Sequence, residues 1–348
     1  MTIQISRRGI AAAALATAAL LRGTREAGAA QGAAPVGPAN DAGMMEAVRL
    51  SRQRRAPDAV VPLWPGIPPG GEGLTVKDLV IDHGPAGGPS DRTAESVASP
   101  SLAFFRSTSP GPRGTVLVIP GGGYVDVWFD KEGYDVARWL SGSGLHAAVL
   151  TYRLPAAGWK GGPDTPLQDA QRAMRLLRQN AREWSVDGNR IGVLGFSAGG
   201  HLAASLITRH DAPVYAPVDG ADSLPAAPQL GGLAYPVISM QDGLTHPGSK
   251  QQLLGAHPTP EQVTAYSPDQ NVRTGTCPTF LVHAADDGAV PVGNSLAMFQ
   301  ALRRQDVAAE MHVFESGGHG FALRSIEGRS AEPWPDLYRR WLKRHGFA

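Results

Sequence analysis

The sequence predicts an α/β domain, with a mostly parallel central sheet, helices on both faces and a small cap region. Three observations carry this. Thr115-Val116-Leu117-Val118-Ile119 and Ala147-Ala148-Val149-Leu150-Thr151-Tyr152 are short, nearly continuous apolar runs, the pattern of strands covered on both faces. Between such runs lies helical periodicity, with Ala170, Met174, Leu177 and Ala181 on one stripe. Strands separated by helices imply crossover connections, which are right-handed and give parallel pairing.

Taken in order, residues 1–29 read as an export signal. Ser6-Arg7-Arg8-Gly9-Ile10 supplies paired arginines, an alanine-rich apolar segment follows, and Ala27-Gly28-Ala29 offers a cleavage pattern of small residues. The arginine pair resembles a twin-arginine signal, which predicts a periplasmic or secreted protein. Residues 30–60 read as an N-terminal arm around a helix over 41–55, solvated because its end is rich in arginine. Pro62, Pro65, Pro68 and Pro69, with Gly70, Gly71 and Gly73, predict an extended, turn-rich lead into a catalytic domain over 61–348. Within it the pattern predicts a helix over 167–184, a strand ending at Phe196, a helix from Ala198 to about Thr208 and a strand over 233–238. Two last strands, at 280–283 and 311–314, flank a helix near 294–304, and a helix over 334–344 closes the chain. Residues 241–275 contain no clear strand and predict a cap.

Composition limits the chemistry. A chain of 348 residues can bury a large core. Without the four arginines and one glutamate of residues 1–29, the rest carries 28 basic and 30 acidic side chains, a net charge of −2 that gives no footing for nucleic acid. No apolar run is long enough to span a bilayer, so no membrane insertion is expected after signal cleavage. The single cysteine, Cys277, precludes an intrachain disulfide or a cysteine metal cluster, and its place before an apolar strand predicts a buried thiol.

The residues able to carry chemistry fall at strand ends. Gly195-Phe196-Ser197-Ala198-Gly199 is a G-x-S-x-G elbow, in which a sharp strand-to-helix turn presents the Ser197 hydroxyl. In a chain with 43 glycines the pentapeptide alone is weak, so its partners decide. Gly121-Gly122-Gly123-Tyr124 follows a strand directly; the expected oxyanion donors are the N–H groups of Gly122, Gly123 and Ala198. No G-x-x-x-x-G-K-[ST] or G-x-G-x-x-G pattern follows a strand, which argues against a phosphate cradle. Asp286 and Asp287 lie after the 280–283 strand, and the D-x-x-V-P register selects Asp287 as the acid. His319, in Gly317-Gly318-His319-Gly320-Phe321 after the final strand, is the expected base. The order Ser197, Asp287, His319 is that of nucleophile, acid and base in an α/β-hydrolase.

From about Val61 onward the chain resembles the α/β-hydrolase esterases that include bacterial acetylxylan and feruloyl esterases. The residues that carry the resemblance are Leu63-Trp64-Pro65, Ile119 to Tyr124, Asp130-Lys131-Glu132-Gly133, Tyr152-Arg153-Leu154-Pro155 and Pro166 to Ala170, with the elbow through His201, Asp287 to Pro291, and Gly317 to Phe321. Many related esterases have a histidine before the three glycines; here the position is Pro120, so any loop-holding role of that histidine needs another residue. The resemblance implies acyl transfer through Ser197, with no metal or cofactor required. It implies an acylated carbohydrate or other small ester as substrate, with Tyr124, Trp128 and an exposed Trp159 as candidate contacts. A general short-chain carboxylesterase and a non-catalytic binding protein on the same fold are the competing readings. A peptidase of this fold would need a further device to recognise a peptide chain.

Overall fold

The computed structural model describes residues 41–53, 55–86 and 88–347. The expected export signal and residues 30–40 of the arm lie outside them. Among the described residues the strands are β1 (Ala59–Pro62), β2 (Leu79–Asp82), β3 (Arg92–Ser96), β4 (Ser101–Phe105), β5 (Arg113–Ile119), β6 (His146–Thr151), β7 (Val186–Phe196), β8 (Gly231–Ala234), β9 (Thr279–Ala284) and β10 (Ala309–Phe314). The α-helices are α1 (Asp41–Ser51), α2 (Asp135–Gly142), α3 (Thr165–Gln179), α4 (Ala181–Trp184), α5 (Ser197–Arg209), α6 (Pro247–Leu254), α7 (Pro260–Ala265), α8 (Gly293–Arg304) and α9 (Trp334–Arg344).

Eight strands form one sheet in the order β1-β4-β6-β5-β7-β8-β9-β10, and β2 pairs with β3 apart from it. From β6 to β10 every neighbouring pair is parallel; β4 against β6 and β1 against β4 are antiparallel. The apolar runs form the central strands because both their faces are covered: successive residues Val116 to Ile119 and Ala147 to Leu150 are fully buried. Helix α5 packs on β7 and β8 and against α3, while α1, α2 and α9 form a second packed group. This is the architecture the sequence predicts, extended by two antiparallel strands at one edge.

Several local expectations change. The helix predicted over 41–55 ends at Ser51, and it is not a solvated arm: Ala47, Val48 and Leu50 are buried against the domain. The helix predicted over 167–184 breaks at Asn180, whose side-chain amide bonds back to the Leu176 carbonyl at 2.9 Å. The strand predicted over 233–238 spans only Gly231–Ala234, because Tyr235 takes a φ of +37° and Pro236 cannot continue the ladder. Segment 241–275 holds α6 and α7 and no strand. Cys277, expected to be buried, is only partly so, yet desolvation of its thiol pushes it up to about 12.

Candidate active site

Parallel strands deliver their C-terminal ends to one edge of a sheet, and ligands collect there. Five loops meet at that edge, after β5, β7, β8, β9 and β10. The loop between β7 and α5 is the tightest. A Cβ on Gly195 would come within 2.3 Å of the Gly199 carbonyl oxygen, and one on Gly199 within 2.3 Å of the Ile119 and Pro120 oxygens. Only glycines permit that approach, and the turn it produces holds Ser197 at a φ of +51°.

Ser197 Oγ donates to His319 Nε2 at 2.9 Å, and His319 Nδ1 donates to Asp287 Oδ2 at 2.7 Å. These bonds fix the histidine tautomer, with the free lone pair on Nε2 facing the serine. The Asp287 side chain is fully buried, and its carboxylate accepts four hydrogen bonds. Oδ1 takes the Ala289 and Val290 N–H groups, both at 2.9 Å, and Oδ2 also takes His283 Nε2 at 3.2 Å. Burial alone would raise its pKa, but the bonds from His283, His319 and Val290 hold it well below the usual carboxylate range. Asp286 does a different job. Its Oδ1 accepts the N–H groups of Gly317 and Gly318 at 2.9 and 2.7 Å and so shapes the loop that carries His319.

The glycine loop after β5 lies against the elbow. A Cβ on Gly121 would sit 2.8 Å from Ser197 Cβ. Gly122, at a φ of +130°, turns the chain so that its carbonyl accepts from Val125 and Asp126. Among the described residues the N–H groups of Gly122, Gly123 and Ala198 have no hydrogen-bond acceptor outside the helix, and Ala198 sits in the first turn of α5, where such groups are free. Three unengaged donors beside the Ser197 hydroxyl form a site suited to a negative oxygen.

A cavity of ≈ 390 Å³ opens at Ser197 and His319, lined also by Asp126, Trp128, Lys131 and His246. Burial, followed by the charges of nearby Glu95, pushes the Asp126 carboxyl up to about 6. Of the three residues expected to contact substrate, only Trp128 lines this cavity; it is partly exposed and stacks on His83 at 5.3 Å. The other two expectations are corrected. Tyr124 is buried, and its hydroxyl donates to His201 Nδ1 at 2.7 Å, so its polar tip is already used inside the protein. Trp159 is buried, not exposed, because the Arg153 guanidinium stacks on its ring at 4.8 Å and Gly71 presses against it.

This geometry can be set beside known proteins. The BD-FAE family model matches residues 104–216, which hold the glycine loop and Ser197, and the Prolyl oligopeptidase family model matches residues 246–345, which hold Asp287 and His319. An acetyl ester-xyloside bifunctional hydrolase from Caldicellulosiruptor lactoaceticus is 33% identical, with a TM-score of 0.68 over 85% of this chain and 99% of that one. The chain belongs to the α/β-hydrolase esterases. Among other members, an acetylxylan esterase of Xylanibacter ruminicola is 33% identical over 246 residues, 70% of this chain and 48% of the relative. Endo-1,4-beta-xylanase B of Butyrivibrio fibrisolvens is 34% identical over 233 residues, 66% of this chain and 35% of the relative. The chain thus spans between about a third and about half the length of these two curated relatives.

Within this esterase fold the structure adds residues that sequence reasoning passed over. His283 is the strand residue beneath Asp287, and its place four residues before Asp287 was the available signal. His246 reaches the cavity from the N-terminus of α6, where nothing in its sequence setting marks it. Glu132 was quoted only as part of the Asp130–Gly133 motif; it lines the cavity and accepts the Gly121 N–H at 2.8 Å.

Proposed function

We propose that this protein is an exported serine ester hydrolase that removes acetyl or feruloyl groups from plant-type polysaccharides or their oligosaccharides. The observation that supports it most directly is the continuous hydrogen-bond chain from Ser197 Oγ through His319 to the buried Asp287. The acetyl ester-xyloside bifunctional hydrolase and the acetylxylan esterase among its relatives support the substrate class.

In this reading Ser197 is the nucleophile, His319 the base and Asp287 the acid. His319 Nε2 takes the Ser197 proton as Oγ bonds to the ester carbonyl carbon. The negative oxygen that forms is held by the N–H groups of Gly122, Gly123 and Ala198, each such donor worth on the order of 3 kcal/mol in the transition state. The carbon–oxygen bond to the alcohol breaks, and the alcohol leaves with the proton from His319. Water then attacks the acyl-serine by the same route, giving a carboxylic acid and free Ser197. Asp287 stays ionised throughout and steadies the imidazolium. Trp128 is the residue left to stack on a sugar or an aromatic acyl group, with His246, at the N-terminus of α6, in the same cavity wall.

The export reading rests on the paired arginines at 7 and 8 and the Ala27-Gly28-Ala29 pattern. Replacing both arginines by lysine should block export; unimpaired export would refute a twin-arginine route.

The experiment that tests the substrate is product release from acetylated xylan, feruloylated arabinoxylan and p-nitrophenyl esters of increasing chain length. A carbohydrate esterase releases acetate or ferulate from the glycans at rates above those matched by simple aryl esters. Equal rates on simple aryl acetates and acetylated sugars would identify a general short-chain carboxylesterase.

A further inference from the structure

The chemistry proposed at this edge requires two loops to stay in register: the glycine loop that would hold the oxyanion and the loop that carries His319. Both are tied to one buried carboxylate. Glu132 stands in a π-helical turn, Phe129–Tyr134, and is 5% exposed; such turns are frequent at functional sites. Its Oε2 accepts the Gly121 N–H at 2.8 Å, while its Oε1 accepts the Tyr235 hydroxyl at 2.9 Å. The same hydroxyl accepts the Ala322 N–H at 3.1 Å. Tyr235 also lies edge-on to the His319 ring, 5.1 Å between centroids at 67°.

The backbone carries a cost to make this arrangement. Tyr235 and Ala322, the two ends of one hydrogen bond, both have φ of +37°, a region that side-chain-bearing residues adopt only under strain. Gly320 comes close enough that a Cβ there would lie 3.8 Å from Glu132 Oε1. A buried carboxylate with a main-chain donor on one oxygen and a tyrosine on the other is an over-determined position, and it spans the two halves of the reaction site.

We propose that Glu132 is a positioning residue for the reaction. From the cavity wall it acts through other groups: it holds the oxyanion loop through Gly121 and the base loop through Tyr235, so that Ser197, its donors and His319 meet in one geometry. In a chain with Pro120 before its glycines, this carboxylate is what fixes the first of them. The inference rests on the ester-hydrolase reading above.

The test compares the full-length wild type with Glu132→Ala, Glu132→Gln and Tyr235→Phe, by kcat and KM on p-nitrophenyl acetate, by the rate of Ser197 labelling with a fluorophosphonate, and by thermal unfolding. Glu132→Ala should lower kcat and the labelling rate by on the order of 10²-fold with KM within about threefold, the signature of lost transition-state alignment. Glu132→Gln keeps an acceptor for Gly121 and an amide for Tyr235, and should recover most of the rate. Tyr235→Phe keeps the Gly121 bond and should fall between them. If Glu132→Ala does not fold, the Gln and Phe variants decide. A folded Glu132→Ala with kcat and labelling within twofold of wild type overturns the proposal, as does a Gln variant as impaired as Ala. A wild type that neither turns over esters nor labels at Ser197 overturns the ester-hydrolase reading first, and this inference with it.

Discussion

His283 Nε2 lies 3.2 Å from Asp287 Oδ2, the oxygen that also accepts the His319 Nδ1 proton at 2.7 Å. Asp287 therefore has a second imidazole behind it, itself oriented by Ser295, whose hydroxyl donates to His283 Nδ1 at 2.8 Å. Replacing His283 by Phe removes one of the donors that hold the Asp287 carboxyl low and leaves the Val290 carbonyl, 3.0 Å away, without its partner. The expected cost is on the order of 2 kcal/mol of stability. Both proteins share one unfolded state, so this part of the penalty should be constant above the ordinary carboxyl value near 4 and shrink only below it, where the carboxyl of the folded variant protonates before that of the wild type. Thermal melts of wild type and His283→Phe from about pH 7 down to about pH 2 check it; a penalty that stays constant to the acid end would assign the loss to packing alone.

The adjacent aspartates should separate cleanly. Asp287→Asn disturbs the bond that sets the His319 tautomer, and kcat should fall on the order of 10³- to 10⁴-fold. Asp286→Asn keeps an Oδ1 for the Gly317 and Gly318 N–H groups, so a loss of about tenfold or less is expected. Ser197→Ala provides the floor for both in kcat on p-nitrophenyl acetate, with circular dichroism to show that each variant folds. A larger loss at Asp286 would reverse the assignment of the acid.

The central sheet was legible because its strands are buried on both faces and read as unbroken apolar runs. The edge was not. β1 has four residues and ends in Pro62, while β2 has three exposed positions out of four, so neither offers a run or a clear alternation. The meeting of Ser197, Asp287 and His319 was legible because strand ends fix where they must lie once the order of elements is known. The lining of the cavity was not, since it depends on which way a loop side chain turns. Tyr124 and Trp159 both sit in the loops expected, yet one is claimed by His201 and the other by Arg153, partners 77 residues away and 6 residues away that no local pattern reveals. Glu132 and Tyr235 meet across 103 residues for the same reason.

Asp126 sits in the cavity wall at a cost to the fold. Its carboxyl is pushed up to about 6, with burial the largest cause, and its Oδ1 has no hydrogen-bond partner among the described residues. A carboxyl raised in the folded state destabilises the fold once it ionises: the cost is absent below about pH 4, grows through pH 4 to 6 and is complete above. Asp126→Asn, a neutral isostere, should therefore stabilise the protein at pH 8 by on the order of 1 kcal/mol after allowance for solvent screening, or a Tm about 2 °C higher. The gain should vanish at pH 4. Calorimetry at the two pH values checks it, and an equal gain at both would remove the ionisation account.

Trp128 and Trp159 offer a paired test of which aromatic meets substrate. Trp128 is partly exposed in the cavity beside Ser197, with the Lys131 ammonium 5.9 Å from its ring; Trp159 is packed on Arg153 and lines a separate small cavity with Ile67, Pro68 and Leu74. Trp128→Ala should raise KM for an acetylated xylo-oligosaccharide by about tenfold, the worth of one stacking face, while changing kcat on p-nitrophenyl acetate by less than about threefold. Trp159→Phe keeps a ring under the guanidinium and removes an indole N–H that has no partner among the described residues, so both kinetic constants should stay within about twofold on either substrate. Steady-state kinetics on the two substrates separates the cases. A KM effect at Trp159 with none at Trp128 would mean that the sugar extends over the Arg153 face instead of the wall beside Ser197.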